Sequence, residues 1–243
     1  MTPHQQAALS PDAFVGWLKR EGQSRYHDQH PFHVLMHEGK LTAQQLQQWV
    51  LNRYYYQTRI PIKDALILSK SEDPAFRRVW IRRIHDQDGE QEGEGGLSLW
   101  RKLGRDVGLD KDEITMLRGI LPGVRFACDA YVSLVREASL VEAVAASLTE
   151  VFAPDLMARR LAAWEQHYPW VGRQGLDYFR TRVRRAGQDA EEALAFVTTH
   201  ATTYEQQAAC IQALIRKSEI LWHILDCLYT AYVLQTPVRG ARD

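Results

Sequence analysis

Residues 52–64, NRYYYQTRIPIKD, hold the densest set of chemically useful side chains in the 243-residue chain. At the helical step, Arg53, Tyr56, Gln57, Ile60, Lys63 and Asp64 fall within an arc of roughly 120°. One helix wall would then present two cations, a phenol, an amide and a carboxylate, a combination suited to holding an anion and moving protons. Pro61 stands in the same stretch, without an N–H and with its ring against the carbonyl of Gln57, so a kink or bulge is expected. Freed backbone groups beside a polar wall suggest a cavity. The other reading is that Arg53 and Lys63 are simply solvated, but Tyr55, Ile62 and Leu66 on the opposite arc leave no clearly wet side.

Further residues depart from their surroundings in the same sense. Lys217 sits amid Cys210, Ala213, Leu214, Leu221, Ile224 and Leu228, and Arg160 shares an arc with Leu156, Met157 and Trp164. A buried cation needs an anion or a reacting group, because an unpaired one is costly enough to lose its charge. Tyr178 and Arg182 stand one turn apart, either facing a ligand or bracing the surface. Glu150 shares a helix face with Ala143, Ala146 and Ser147, a carboxylate across small residues that leave room, or else a site of close helix approach.

Arg53, Lys63, Arg160, Arg182 and Lys217 would together form an anion pocket for a ligand with more than one carboxylate. Tyr56, Tyr131, Tyr178, Gln57 and Glu150 would supply donors, acceptors and proton carriers around it. His27, beside Tyr26, reads as a further lining residue. His27, His30, His33 and His37 invite a metal, but Pro31 splits the series and it lacks the carboxylate or thiolate company of a usual site, so no metal site is assigned.

These side chains must be positioned by helices. Ser10–Pro11, Thr42 and Asp73–Pro74 are start signals, and a helix from Pro11 should end near Gly22. The run at 121–123 is a break, Pro169 and Gly175 mark a turn, and a last long helix covers about 204–232. No strand-like alternation, repeat, glycine-rich phosphate loop or Ser/His/Asp nucleophile motif is found. The expected fold is all-α, a compact bundle of about seven to nine helices in one domain over 1–243, with short disordered tails. Thirty basic and thirty acidic residues cancel, and 45% apolar content is ordinary for a globular protein, so nucleic acid and anionic membranes are not indicated as partners. Cys128, Cys210 and Cys227 are odd in number and widely spaced, as buried thiols of a reducing compartment would be. With no signal sequence and no apolar run near about 20 residues, a cytoplasmic protein is expected.

The runs NRYYYQTRIPIKDA (52–65), LPGVRFACDAY (121–131), SLTEVFAP (147–154) and HYPWVGRQGLDYFRTR (167–182), with YHDQHPFH near the start, resemble the pyrroloquinoline-quinone synthase family. The resemblance extends from about residue 10 to 233. It implies a haem-oxygenase-like fold, a homodimer, and a reaction without metal or organic cofactor. In that reaction a bicyclic multi-carboxylate quinone precursor is ring-closed and oxidised by O2 to pyrroloquinoline quinone, releasing hydrogen peroxide. Arg53, Lys63, Arg160 and Lys217 are then carboxylate and quinone binders, with His27, Tyr56, Gln57, Tyr131 and Glu150 lining the cavity. Tyr178 and Arg182 are implied where O2 and peroxide are handled.

Two positions depart from the family pattern. Asp86–Gln87–Asp88–Gly89 stands where Asp-His-Asp-Gly is expected, and Met157 stands where a histidine precedes the arginine by three. Gln87 can hydrogen-bond but cannot shuttle a proton near neutral pH, and Met157 does neither usefully. His85 is about 200° from Gln87 on a helix and should point elsewhere. Besides a full synthase, the sequence therefore admits a catalytically weakened relative that binds precursor or product as carrier or sensor. A metal-dependent oxidase on the same fold is disfavoured, because Tyr178 and Arg182 replace its His/Asp/Glu ligands.

Overall fold

The structure, a computed structural model, describes residues 6–235, apart from the side chains of 184–186. The disordered tails expected at the two ends lie outside these residues. Eleven α-helices and no strand occur among the described residues. They are α1 (Pro11–Arg25), α2 (Pro31–His37), α3 (Ala43–Ser69), α4 (Pro74–Asp88), α5 (Gly95–Asp106), α6 (Lys111–Thr115), α7 (Pro122–Glu137), α8 (Leu140–Ala145), α9 (Ala153–His167), α10 (Asp177–His200) and α11 (Tyr204–Leu228). The all-α expectation holds. The surplus over seven to nine comes from α2, α6 and α8, of seven, five and six residues, too short for periodicity to reveal.

Local chemistry starts these helices. At α3 the Thr42 hydroxyl accepts from the Gln45 N–H while the Gln45 side chain accepts from the Thr42 N–H, and the same reciprocal box opens α6, α8 and α11. α1 does not stop at Gly22. That glycine instead admits a neighbour, since a Cβ there would lie 2.4 Å from the Phe152 ring. Helix α3, 27 residues long with Pro61 inside it, is the spine and packs against α4, α5 and α7. α11 packs on α1 and α7, and α10 lies along α9. Trp49 on α3 anchors the aromatic core, with Trp100 at 5.5 Å, Trp164 at 5.8 Å and Phe179 at 6.5 Å between ring centroids.

Residues 140–153 correct an expectation. Only Leu140–Ala145 is α-helical, and Ala146–Phe152 is a 3₁₀ segment with three residues per turn, so Glu150 does not share a face with Ala143 and Ala146. The small residues are packed solid: Ala143, Ala145 and Ala146 are fully buried against neighbouring helices. Cys128 and Cys210 are free and buried as expected, whereas Cys227 is only half-buried. No described helix is long and apolar enough to cross a membrane.

Around α2 the histidines are structural acceptors. His30 caps the helix by accepting the Phe32 N–H on Nδ1 at 3.0 Å, which leaves Nε2–H for Asp226 at 3.0 Å. His33 donates Nδ1–H to the His27 carbonyl at 3.0 Å and accepts from Arg160 Nη2 on Nε2 at 3.1 Å. Protonation would remove either acceptor. Burial, with Arg160 nearby, lowers His33 well below the ordinary histidine value and His37 to about 4. Folded imidazoles stay neutral while unfolded ones bind protons below about pH 6.5, so their contribution is complete above 6.5 and is lost as pH falls toward 4. The melting temperature should fall as the pH drops below 6.5. His37→Gln should flatten that fall relative to the parent. The raised values of Asp64 and Asp189 act in the opposite sense but are common to both proteins and cancel in the difference.

Candidate functional site

A narrow cavity of about 80 Å³ opens between α3, α4, α10, the 3₁₀ segment and the start of α9. Of the residues singled out in the sequence, His27, Arg53, Tyr56, Gln57, Gln87, Glu150, Met157, Tyr178 and Arg182 line it. Tyr26, Asp64, Arg83, Thr149 and Asp189 line it as well. Lys63, Tyr131, Arg160 and Lys217 stand one layer back, each touching a residue of the wall.

The five expected cations divide into two groups. Lys63 and Arg182 already have carboxylates. Lys63 Nζ lies 2.7 Å from Asp64 and 3.0 Å from the Ser147 hydroxyl, and Arg182 lies 3.6 Å from Asp189. Arg83, unmarked from the sequence, belongs with them. It holds Glu150 at 2.6 Å while its guanidinium lies 4.1 Å over the Trp80 ring. Burial alone would raise the Glu150 carboxyl, but Arg83, Lys63 and Arg182 outweigh it and hold the group well below the usual carboxylate range. Asp189 behaves oppositely: burial and the Glu150 charge push it up to about 6 against Arg83 and Arg182.

Arg53, Arg160 and Lys217 have no carboxylate partner among the described residues. Arg53 stacks 4.0 Å over the Tyr56 ring. Arg160, 2% exposed, was expected to meet a buried anion, yet it donates to neutral His33, lies 3.9 Å from the Met157 sulfur and sits 5.0 Å over Trp49. Lys217, 1% exposed, likewise meets no carboxylate: its ammonium donates to the Tyr56 hydroxyl at 2.8 Å and lies 3.5 Å over the Tyr131 ring. Cation–π contacts and neutral acceptors replace part of the lost hydration. Burial and the Arg53 charge lower Arg160 to about 9 and Lys217 well below the usual lysine value. The wall is therefore short of negative charge, and the shortfall is what an anionic ligand would supply.

Proton-handling groups face the same space. Burial, then Arg53, Arg160 and Lys217, lower His27 well below the ordinary histidine value, so it is a neutral imidazole, and its buried Nδ1 has no partner. Burial raises Tyr56 and Tyr131, which stay phenols. Tyr178 donates to Gln57 Oε1 at 3.0 Å, and Gln87 Nε2 donates to the same oxygen at 2.9 Å. His85 is half exposed and 3.6 Å from Glu90, turned away as its position on the helix implied. Among the described residues no cluster of three His, Cys, Asp or Glu side chains is placed to hold a metal ion.

Arg83 carried the signal used for Lys217. On α4 it follows Phe76 and Trp80 at helical spacing, a cation in an apolar arc. Asp189 gave none, because its stretch of α10 is polar all round.

A profile of the TENA/THI-4/PQQC family matches residues 18–226. The chain is 50% identical over 239 residues to a pyrroloquinoline-quinone synthase of Rhizobium meliloti, covering 97% of this chain and 93% of that one. It is 48% identical over 233 residues to one of Pseudomonas syringae pv. syringae, covering 96% and 92%. Among solved structures, a domain with a heme oxygenase-like fold from Shewanella denitrificans superposes with TM-score 0.77 at 14% identity, over 98% of this chain and 99% of that one. A TenA homolog from Pseudomonas syringae pv. tomato gives the same score and identity over 95% and 100%.

The Lys63–Asp64 pair yields a stability prediction. Asp64 is raised despite Lys63, because burial dominates, and its Oδ1 also accepts from Trp80 Nε1 at 2.9 Å. Lys63→Met should cost about 3–5 kcal/mol at pH 7.5 by stranding a buried carboxylate, and less at pH 5, where Asp64 can take up a proton. Adding Asp64→Asn should recover most of the loss. Urea unfolding of the two single variants and the double variant checks this.

Proposed function

The chain belongs to the TENA/THI-4/PQQC family and is an enzyme of pyrroloquinoline-quinone synthesis, and we propose that it ring-closes and oxidises a bicyclic multi-carboxylate quinone precursor with O2. The observation that carries this reading is the trio of half-buried Arg53 and buried Arg160 and Lys217, set around the cavity without carboxylates of their own. A ligand with several carboxylates suits that charge. The reading includes a homodimer in the cytoplasm, working without metal or organic cofactor.

On this reading each oxidation removes two electrons and two protons from the ligand skeleton and delivers them to one O2, giving hydrogen peroxide. Arg53 and Arg160 hold carboxylates. Lys217 acts through the Tyr56 hydroxyl, which it already contacts. His27, neutral at the wall, accepts a proton from the ligand, and Tyr131 backs Tyr56 with its ring 6.3 Å away and nearly parallel. Glu150, held ionised by Arg83, fixes the polar side. Tyr178 and Arg182 face O2, and the Arg182 cation stabilises negative charge as oxygen is reduced.

A second reading is favoured by two side chains. Gln87 spends its amide on Gln57, and Met157 offers only a thioether to Arg160. A chain lacking two imidazoles would bind the precursor or product and turn over slowly, as a carrier or sensor. Mixing protein and precursor without air and then with air, followed by absorbance, separates binding alone, ring closure alone and full conversion.

Arg53→Ala and Arg160→Ala should each weaken binding of the multi-carboxylate ligand by about 1.5–3 kcal/mol, and Lys217→Ala should abolish it while leaving helicity intact. Unchanged dissociation constants in the arginine variants would remove the anion-pocket reading. Gln87→His with Met157→His should accelerate single-turnover oxidation by up to roughly 10²–10⁴-fold, the range of a general acid–base group, without tightening binding. Equal rates in parent and double variant would remove the weakened-enzyme reading.

A further inference from the structure

Pro61 creates a demand that propagates across the cavity. Having no N–H, it leaves the Gln57 carbonyl without its usual helical partner, and a buried carbonyl needs a donor. That donor is Gln87 Nε2, at 3.3 Å. The second hydrogen of the same amide goes to Gln57 Oε1 at 2.9 Å, and the Gln87 oxygen lies against Gly96, where a Cβ would come within 2.5 Å of it.

Neither amide can turn over. Reversing Gln87 would set its oxygen against the Gln57 carbonyl. Reversing Gln57 would set its NH2 against the NH2 of Gln87. With Gln57 Oε1 fixed toward α10, the Tyr178 hydroxyl 3.0 Å away can only donate to it, since two oxygens need one hydrogen between them. Gln57, Gln87 and Tyr178 are all buried, so water does not compete freely for these bonds.

We propose that Gln87 is a positioning residue that commits the Tyr178 proton to Gln57 and leaves the phenol oxygen facing the cavity as a hydrogen-bond acceptor. Its lone pairs then receive a donor in the cavity, such as an N–H or O–H of a bound ligand or the O–H of a peroxide. Tyr178 does not act as an acid there unless Gln57 reorients. This assigns Gln87 a task that does not depend on proton transfer through residue 87. It concerns the site of the proposed function, but its test needs no ligand, so the two can fail separately.

Tyr178 is replaced by 3,5-difluorotyrosine, whose phenol titrates in the neutral range, and its 19F resonance is followed against pH in full-length protein. Gln87→Leu releases the Gln57 amide, which can then turn its NH2 toward the phenol oxygen and stabilise the phenolate. The expected result is a fall in the titration midpoint corresponding to about a tenfold rise in acidity. In a Gln57→Leu background the same change at 87 should have no effect. Gln87→Met, which keeps length and flexibility without an N–H, serves if Gln87→Leu does not fold. An unchanged midpoint in the Gln87 variants, or an equal shift with and without Gln57, would overturn the proposal.

Discussion

Three cations without a carboxylate among them, Arg160 and Lys217 buried and Arg53 half-buried, govern this structure. Arg53, Arg160 and Lys217 repel one another in a medium that screens poorly, and the fold tolerates them only through aromatic faces and neutral acceptors. Their field reaches neighbouring groups, contributing to the lowering of His27, Arg160 and Lys217 together. A ligand that brings carboxylates relieves this repulsion, so binding and stability are linked: whatever neutralises the cavity also holds the fold. Stability withheld from the empty protein becomes affinity for an anion.

Helix α3 makes that arrangement possible. It gives Trp49 to the aromatic core, Arg53, Tyr56 and Gln57 to the cavity, and Lys63 and Asp64 to the junction with α4 and the 3₁₀ segment. Contrary to the sequence expectation, α3 does have a wet side, at Ile62, Ala65 and Ser69. Gln57 and Pro61 lie on its buried face, so a freed carbonyl that could have met water at the surface must here find Gln87.

The fold was legible where sequence chemistry is local. The Thr42 capping box, the proline starts and the long apolar arcs of α3, α7 and α11 each follow from neighbouring residues. The break after Ala145 was not, because the tighter 3₁₀ turn is set by packing against α10 and α11 and not by the residue types of 146–152. Much of the cavity was visible as polar residues in apolar arcs. What such a pattern cannot show is pairing. Lys63 and Arg160 look alike in sequence, yet one has an adjacent carboxylate and the other has His33, brought from 127 residues away.

The same field bears on the two positions where the family resemblance implies imidazoles. A histidine at 157 would adjoin Arg160, and one at 87 would stand one turn from Arg83 on α4 in a cavity that Arg182, Glu150 and Asp189 also line. Burial among uncompensated cations keeps His27 and His33 neutral, and a histidine at 157 would meet the same conditions. There it would be a neutral imidazole, a base weakened by the same cations until an anionic ligand offsets them. The function Met157 gives up is therefore that of a base, and His27, already neutral on the wall, remains in place to perform it. At 87 the carboxylates of the cavity are already paired with Arg83 and Arg182, so the two positions are not equivalent. Gln87 in exchange ties a proline-freed carbonyl to the orientation of a phenol, a task needing two N–H groups on one atom, which an imidazole does not have.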